Sequence, residues 1–212
     1  MDNILIIIFQ LAILIFSVMI HEVSHGYMAD YLGDPTARLA GRLTLNPMKH
    51  LDWFGSVFLP LTFYFLSGGN FIFGWAKPVP YNPLNLKNPR RDSALVAIAG
   101  PAANFALAIV FGLSIRLLGI FPDVYAESLA VSFSLIAYVN ILLGVFNLIP
   151  IAPLDGSKVL YSLLPNNQSS REFILFMEQY GIFFLLVFVF FGFQLIVPVI
   201  EFIFHLLSGV YF

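Results

Sequence analysis

The sequence predicts an all-α polytopic membrane protein of about five to six transmembrane helices, with a re-entrant helix-strand segment beside its polar centre. Three observations carry this. The 212 residues are 59% hydrophobic and only 10% charged, with a mean hydropathy of +0.89, whereas a soluble domain carries about a quarter charged residues. Apolar segments recur along the chain, each approaching the ~20 residues needed to span hydrocarbon. One of them, beginning near Trp53, is interrupted in a way an ordinary span is not.

The segments run over 4–32, 53–73, 93–119, 129–152, 172–192 and 194–212. The first carries no charge from Asn3 to Ile20 and then meets "HEVSH". Its start has Asp2 in place of a basic region and no small-residue cleavage site, so it reads as a retained helix, not a cleavable signal. The second holds Pro60 and passes into "SGGNFIFGWAKPVP". That pattern predicts a helix in, a Gly68-Gly69 turn, and an extended return through Phe71, Ile72 and Phe73 to Lys77. The last two segments are separated by almost nothing and contain Pro198, Glu201 and His205. With no repeat, linker or long loop, the chain reads as one membrane-embedded domain over 1–212. Its core covers 4–160, and a C-terminal helical hairpin covers 172–212. A net charge of −2 without a basic tract excludes a nucleic-acid partner. The absence of cysteine excludes disulfides and thiolate metal ligands.

His21-Glu22-Val23-Ser24-His25 is H-E-x-x-H. Residues four apart on a helix share a face, so both imidazoles can grip one metal ion, and Glu22 can reach a metal-held water without ligating the metal. Zinc suits such a set, because it accepts imidazole nitrogen and acidifies water at an open position. Glu22 then acts as general base. Two histidines and a glutamate inside a span are costly, which favours function over packing. "EVSH" is also E-x-x-H, the signature of di-iron bundles. That site needs a second E-x-x-H and further inward glutamates. Glu201 and His205 are spaced by four, and only Glu178 otherwise lies deep in an apolar segment, so di-iron fits poorly.

A catalytic zinc takes a third protein ligand. The best candidate lies in "NLIPIAPLDGSKVL", where Asp155 follows a segment broken by Pro150 and Pro153 and precedes Gly156. Prolines there free backbone carbonyls, which is tolerable where the chain lines a cavity. The plainer alternative makes Pro-Leu-Asp-Gly the turn that ends the helix.

His21-Glu22-x-x-His25, followed by Asn147-x-x-Pro150-x-x-Pro153-Leu154-Asp155-Gly156, resembles the site-2 protease family of intramembrane zinc metalloproteases. "AGPAANF" (99–105) looks like that family's Gly-Pro-x-x-Asn-Phe helix, and "LNPMKHLDWFG" and "FGWAKPVPYNP" resemble stretches of its compact bacterial and archaeal members, which lack PDZ or CBS domains. The resemblance covers about residues 15–160. It implies one Zn2+ per chain, held by His21, His25 and Asp155, with Glu22 as general base. It makes Asn147 and Asn104 the candidate substrate-binding residues. Read without the family, Asn104 is equally an interhelical hydrogen bond among the close-packing Ala99, Gly100 and Ala103. That structural role is the preferred one for Asn104, and a mixed role for Asn147. The implied partners are a transmembrane protein substrate and the lipid bilayer, with selection by the membrane core or an adaptor protein. Two rival functions remain in view. A non-proteolytic chaperone-like module predicts a degraded H-E-x-x-H, and a zinc transporter predicts polar residues along a continuous path; neither describes this sequence.

Topology follows from pairing His21 with Asp155 at one depth. His21 lies about 26 Å along its helix from Ile4, so the site sits toward the far side, and the segment before Asp155 must end there too. Segment 53–73 must then enter and leave on one side. In that arrangement every Lys and Arg except Arg116, of ten in all, falls on the side of the site. Positive charge in short loops marks the cytoplasmic face. The expectation is an integral, multi-pass protein of the plasma membrane, if prokaryotic, with its site toward the cytoplasm. His50, Asp34 and Asp52 are expected at the loop surface. Glu201 and His205 share a helical face where they could pair.

Overall fold

A computed structural model describes residues 2–66, 77–118 and 123–210. All regular structure among these residues is helical. The order is α1 (Asp2–Tyr31), α2 (Thr36–Leu39), α3 (Leu59–Leu66), α4 (Pro89–Leu117), α5 (Asp123–Asn147), α6 (Asp155–Leu163), α7 (Gln168–Val187) and α8 (Val197–Ser208). Four of the described helices are long and apolar enough to cross a membrane: α1 from Ile8, α4, α5 from Ala126, and α7 extended to Leu195; α8 is a shorter apolar helix. The α7–α8 junction is the abrupt one the sequence suggested, a wide π-type turn over Phe188–Gly192 and a tight one over Phe193–Leu195.

Segment 53–73 begins as expected with helix, a π-type turn over Trp53–Phe58 leading into α3. The expected Gly68-Gly69 turn and the Phe71–Phe73 return lie outside the described residues. The chain is next described at Lys77, as an extended strap over 77–82.

The segment 129–152 is not one helix to its end. It stops at Asn147, residues 148–154 are irregular, and Asp155 opens a new helix. Pro150 and Pro153 explain the break, since each lacks a donor and pushes the preceding residue out of helical backbone. Helix α4 tolerates Pro101 in its interior and starts on Pro89, where no intrahelical donor is needed.

Helix α4 is the most buried of the four candidate spans. One side packs on α5 and α8 around Ala108, Ala137, Ile141, Ile200 and Phe204, none more than 1% exposed. The small alanines let helix backbones approach without a hydrophobic driving force from water. Arg116 closes this end by donating from Nε to the Leu207 carbonyl (2.8 Å) and from Nη2 to that of Leu206 (2.6 Å), satisfying the last turn of α8. The other side of α4 faces α1 and α6, where the polar residues collect.

Candidate metal centre

Helix α1 presents His21 and His25 to α4, and α4 answers with three residues at the same four-residue spacing. His25 donates from Nδ1 to the Val96 carbonyl (2.7 Å), and His21 donates from Nδ1 to Asn104 Oδ1 (2.6 Å). Gly100 lies between. A Cβ there would stand 2.5 Å from His25 Cε1 and Nε2 and 2.6 Å from His21 Nε2, closer than any packed atoms allow. Glycine is therefore what lets the two rings fit, edge to face with centroids 4.6 Å apart. Because both Nδ1 atoms face acceptors, both Nε2 atoms are left for another partner. They converge on Asp155 Oδ2, at 3.1 Å from His21 and 3.2 Å from His25.

Asp155 reaches them from the first turn of α6, where a carboxylate also suits the helix dipole. Gly156 lets α6 sit directly on the preceding turn, for a Cβ there would overlap the Leu148 carbonyl. Ser157 fixes the start by donating from Oγ to the Leu154 carbonyl (2.7 Å). Arg90 of α4 ties down the far end, donating from Nε and Nη2 to the Tyr161 carbonyl (3.2 and 2.9 Å). Lys158 Nζ lies 3.9 Å from Asp155 Oδ1 and 5.4 Å from the centre of the Tyr81 ring.

Glu22 is held by the strap. Its Oε2 accepts the Val79 N–H at 2.9 Å, and its carboxylate lies within 4.8 Å of ligand atoms on both histidines. The strap is anchored along its length. Lys77 N–H donates to the His50 carbonyl (2.8 Å), Arg42 Nη2 donates to the carbonyls of Lys77 and Pro78 (2.8 and 3.3 Å), and Asn82 N–H donates to Asp34 Oδ2 (2.5 Å). Val79 fills a notch over Gly26, where a Cβ would stand 2.8 Å from Val79 Cγ1.

Two residues expected at the surface are therefore inside. Asp34 is fully buried and accepts from Thr36 N–H, Thr36 Oγ, Asn85 Nδ2 and Asn82 N–H. Burial alone would raise its carboxyl pKa, but the bonds from Thr36, Asn85 and Asn82 outweigh that and hold it below the usual value. His50 is buried too, with Nε2 donating to the Thr44 carbonyl (2.8 Å). Asp34 ties the strap to the chain after α1 through its side chain, and His50 does so through its backbone carbonyl. Asp52 is half-buried and accepts the Gly55 N–H (2.7 Å) at a helix start.

Of the residues singled out from sequence, His21, Glu22, His25 and Asp155 come together, and Asn104 adjoins them through His21. Asn147 is half-buried and donates to the Leu143 carbonyl of its own helix (2.9 Å). Glu201 is exposed on α8, and no cluster of three metal-ligating groups among the described residues includes it or His205. Sequence reasoning missed Val96, Gly100 as the ring cradle, Ser17 and Asn140. The four-residue step from Gly100 to Asn104, matching His21 to His25, was a usable signal, as was an asparagine in the uncharged run before Gly144.

The family described as Peptidase family M50 matches over residues 9–125 and 122–188. The chain belongs to peptidase family M50. Relatives carry the name "Putative zinc metalloprotease": YwhC of Bacillus subtilis (39% identical; 83% of this chain, 78% of that protein) and two Rip2 proteins. Rip2 of Mycolicibacterium smegmatis is 34% identical (66% of this chain, 51% of that protein), and Rip2 of Mycobacterium tuberculosis H37Rv is 32% identical (81% and 62%). The chain thus spans most of the length of YwhC and between half and two thirds of Rip2. No solved structure matches it. This M50 metalloprotease is built on a polytopic membrane fold whose regular structure is helical throughout the described residues.

Proposed function

We propose that the chain is an intramembrane zinc endopeptidase that hydrolyses peptide bonds of transmembrane substrates, with one zinc ion per chain held by His21, His25 and Asp155. The observation that carries this reading is the convergence of two imidazole nitrogens from α1 and a carboxylate oxygen from α6, 134 residues away, within 3.1–3.2 Å. Two nitrogens and one oxygen form a donor set zinc accepts with a position left open. When bound, zinc supplies a Lewis acid that polarises the scissile carbonyl and makes water easier to deprotonate. Glu22 takes the proton of the attacking water and delivers it to the leaving amine. The Val79 N–H aims that carboxylate by one oxygen, so the other does the proton transfer.

A substrate helix has to unwind before its carbonyls can be attacked. The irregular turn over 148–154 and the strap over 77–82 flank the centre and offer backbone to the unwound segment. Asn147 engages that segment near the scissile bond. Asn104 serves the metal side, because it is wholly buried and its oxygen is taken up by His21. The distribution of Lys and Arg supports a centre opening toward the cytoplasm of the plasma membrane.

The test compares wild type, Glu22→Gln and Asp155→Ala in detergent, counting zinc per chain and assaying single-span substrates beside a known site-2 protease. Wild type should hold about one zinc and cleave. Glu22→Gln should keep zinc and lose cleavage by on the order of 100-fold or more, and Asp155→Ala should lose both. A wild type that takes no zinc from a metal-replete solution would sink the reading.

A further inference from the structure

We propose that Asn140 of α5, acting through Asn104, sets which nitrogen of His21 faces the metal, and is a positioning residue of the centre. The inference rests on His21 being a ligand. It comes from an accounting of donors and acceptors deep inside the protein: Asn104 and Asn140 are both 0% exposed and Ser17 is 3% exposed.

A side-chain amide has one accepting end and one end with two donors, and the two can exchange by a flip. The direction here is fixed from the backbone outward. Asn140 Nδ2 lies 2.8 Å from the Ile136 carbonyl, which can only accept, so the donor end of Asn140 belongs there. Its second proton reaches Ser17 Oγ at 2.9 Å. Asn140 Oδ1 is thereby turned to Asn104 and accepts from Nδ2 at 2.8 Å, while that nitrogen's other proton points to the Ser17 carbonyl at 3.4 Å. Asn104 Oδ1 is then the end that meets His21 Nδ1, at 2.6 Å. The ring must carry its proton on Nδ1, which leaves Nε2 as the metal-facing nitrogen. Reversing Asn140 would set its N–H groups against those of Asn104, and reversing Asn104 would set its oxygen against Asn140 Oδ1 and the Ser17 carbonyl. Moving the ring proton to Nε2 would leave His21 Nδ1 and Asn104 Oδ1 as two facing acceptors.

His25 needs no such device. Its acceptor is the Val96 carbonyl, whose polarity the backbone fixes. His21 relies on a side chain that could flip, and Asn140 supplies the shorter of the two contacts that stop it, the longer being to the Ser17 carbonyl.

The experiment is a double-mutant cycle read as zinc affinity, by chelator competition on the full chain in detergent, with thermal unfolding as the folding control. Asn140→Leu should weaken zinc binding about 10- to 100-fold, as loss of an outer partner of a ligating histidine does. Aspartate at 104 has two accepting ends, so His21 Nδ1 meets an acceptor whichever way it lies. Its other oxygen faces Asn140 Oδ1 and the Ser17 carbonyl without a donor, a cost that the thermal-unfolding control reads. In an Asn104→Asp background, Asn140→Leu should therefore change zinc affinity by less than about threefold. Equal weakening in both backgrounds would make Asn140 a packing residue, and wild-type affinity in Asn140→Leu would do the same; either overturns the proposal. Should Asn140→Leu fail to fold, 15N spectra of histidine-labelled, zinc-loaded wild type decide. Metal on His21 Nε2 with a proton on Nδ1 supports the proposal, and metal on Nδ1 overturns it. A wild type that binds no zinc would remove the ligand reading and this one together, whereas the other outcomes leave the ligand reading standing.

Discussion

The histidines and the carboxylates of the centre are held by opposite means. His21 and His25 lean on one rigid helix, where Val96, Gly100 and Asn104 follow each other at single-turn spacing and all are buried. Glu22 and Asp155 are held by a wall of short pieces: an extended strap, the proline-broken turn over 148–154 that follows the end of α5, and the short α6. Every anchor on the α4 side is a short, direct contact made by a buried residue of that helix. On the wall the anchors are more varied: backbone N–H groups, the guanidinium groups of Arg42 and Arg90, the Ser157 hydroxyl, a half-exposed lysine and the Asp34 clasp. The division suits a metalloprotease. Ligating rings must not move, while the face that admits a peptide has to be made of backbone and loops.

If α4 is the rigid half, the largest effect should come from filling its one gap. Gly100→Ala should weaken zinc binding by on the order of 100-fold or more, since the added methyl lands within 2.6 Å of both imidazoles and outer-shell changes alone cost about 10- to 100-fold. Helix propensity works the other way, because alanine favours a helix over glycine by about 1 kcal/mol. A loss of zinc with unchanged or higher thermal stability would isolate the steric term. Near-wild-type zinc affinity, measured by chelator competition, would mean that α1 and α4 can slide apart, and the contrast between the two halves would collapse.

The same contrast explains what the sequence made legible. His21, Glu22 and His25 stood out because chemistry demands those residue types at that spacing in apolar surroundings. Asp155 was singled out by the resemblance to the site-2 protease family, since on composition alone it reads as the turn ending a helix. The helices were readable because hydrocarbon leaves the backbone few alternatives. Val96 was invisible in principle, as its contribution is a carbonyl that every residue has. Asp34 and His50 were misjudged as surface groups. Asp34 is buried where the segment after α3 folds back over the chain after α1, as in the Asp34–Asn82 contact across 48 residues, and His50 is turned inward onto the Thr44 carbonyl of its own loop; no local pattern announces either. The break after Asn147 was visible in its prolines, but a new helix starting on Asp155 was not, since a turn and a helix N-terminus use the same residues.

A middle-sized effect is expected at the clasp on the wall. Asp34 accepts four hydrogen bonds and gives none, so an amide in its place would point a donor at a donor. Asp34→Asn should cost about 2–3 kcal/mol of stability at neutral pH, the scale of lost bonds to a charged group. The folded carboxyl titrates below its unfolded value near 3.9. Its contribution is therefore complete above about pH 4 and is lost as pH falls through the folded value. Thermal unfolding of wild type should show that acid-side loss, and the variant should lack this part of it. Zinc content should be unchanged while cleavage falls, because the strap serves Glu22 and not the histidines. Zinc lost in step with cleavage would show that the two halves are not separable.

The smallest effect should fall on Lys158, which touches the wall from its wet side. Its ammonium is 3.9 Å from Asp155 Oδ1 and its side chain 38% exposed, a pair of the kind worth about 0–1 kcal/mol, and its approach to the Tyr81 ring adds a similar amount at most. Lys158→Gln should therefore lower kcat/KM only about two- to threefold, with the gap narrowing as salt is raised. Zinc affinity should hold, because Asp155 is seated by the backbone at Gly156 and by α6 itself. A loss of about 100-fold, insensitive to salt, would mean that the aspartate is aimed by a side chain after all. The wall would then be no less rigid than the α4 face, and the open side of the centre would have to be sought elsewhere.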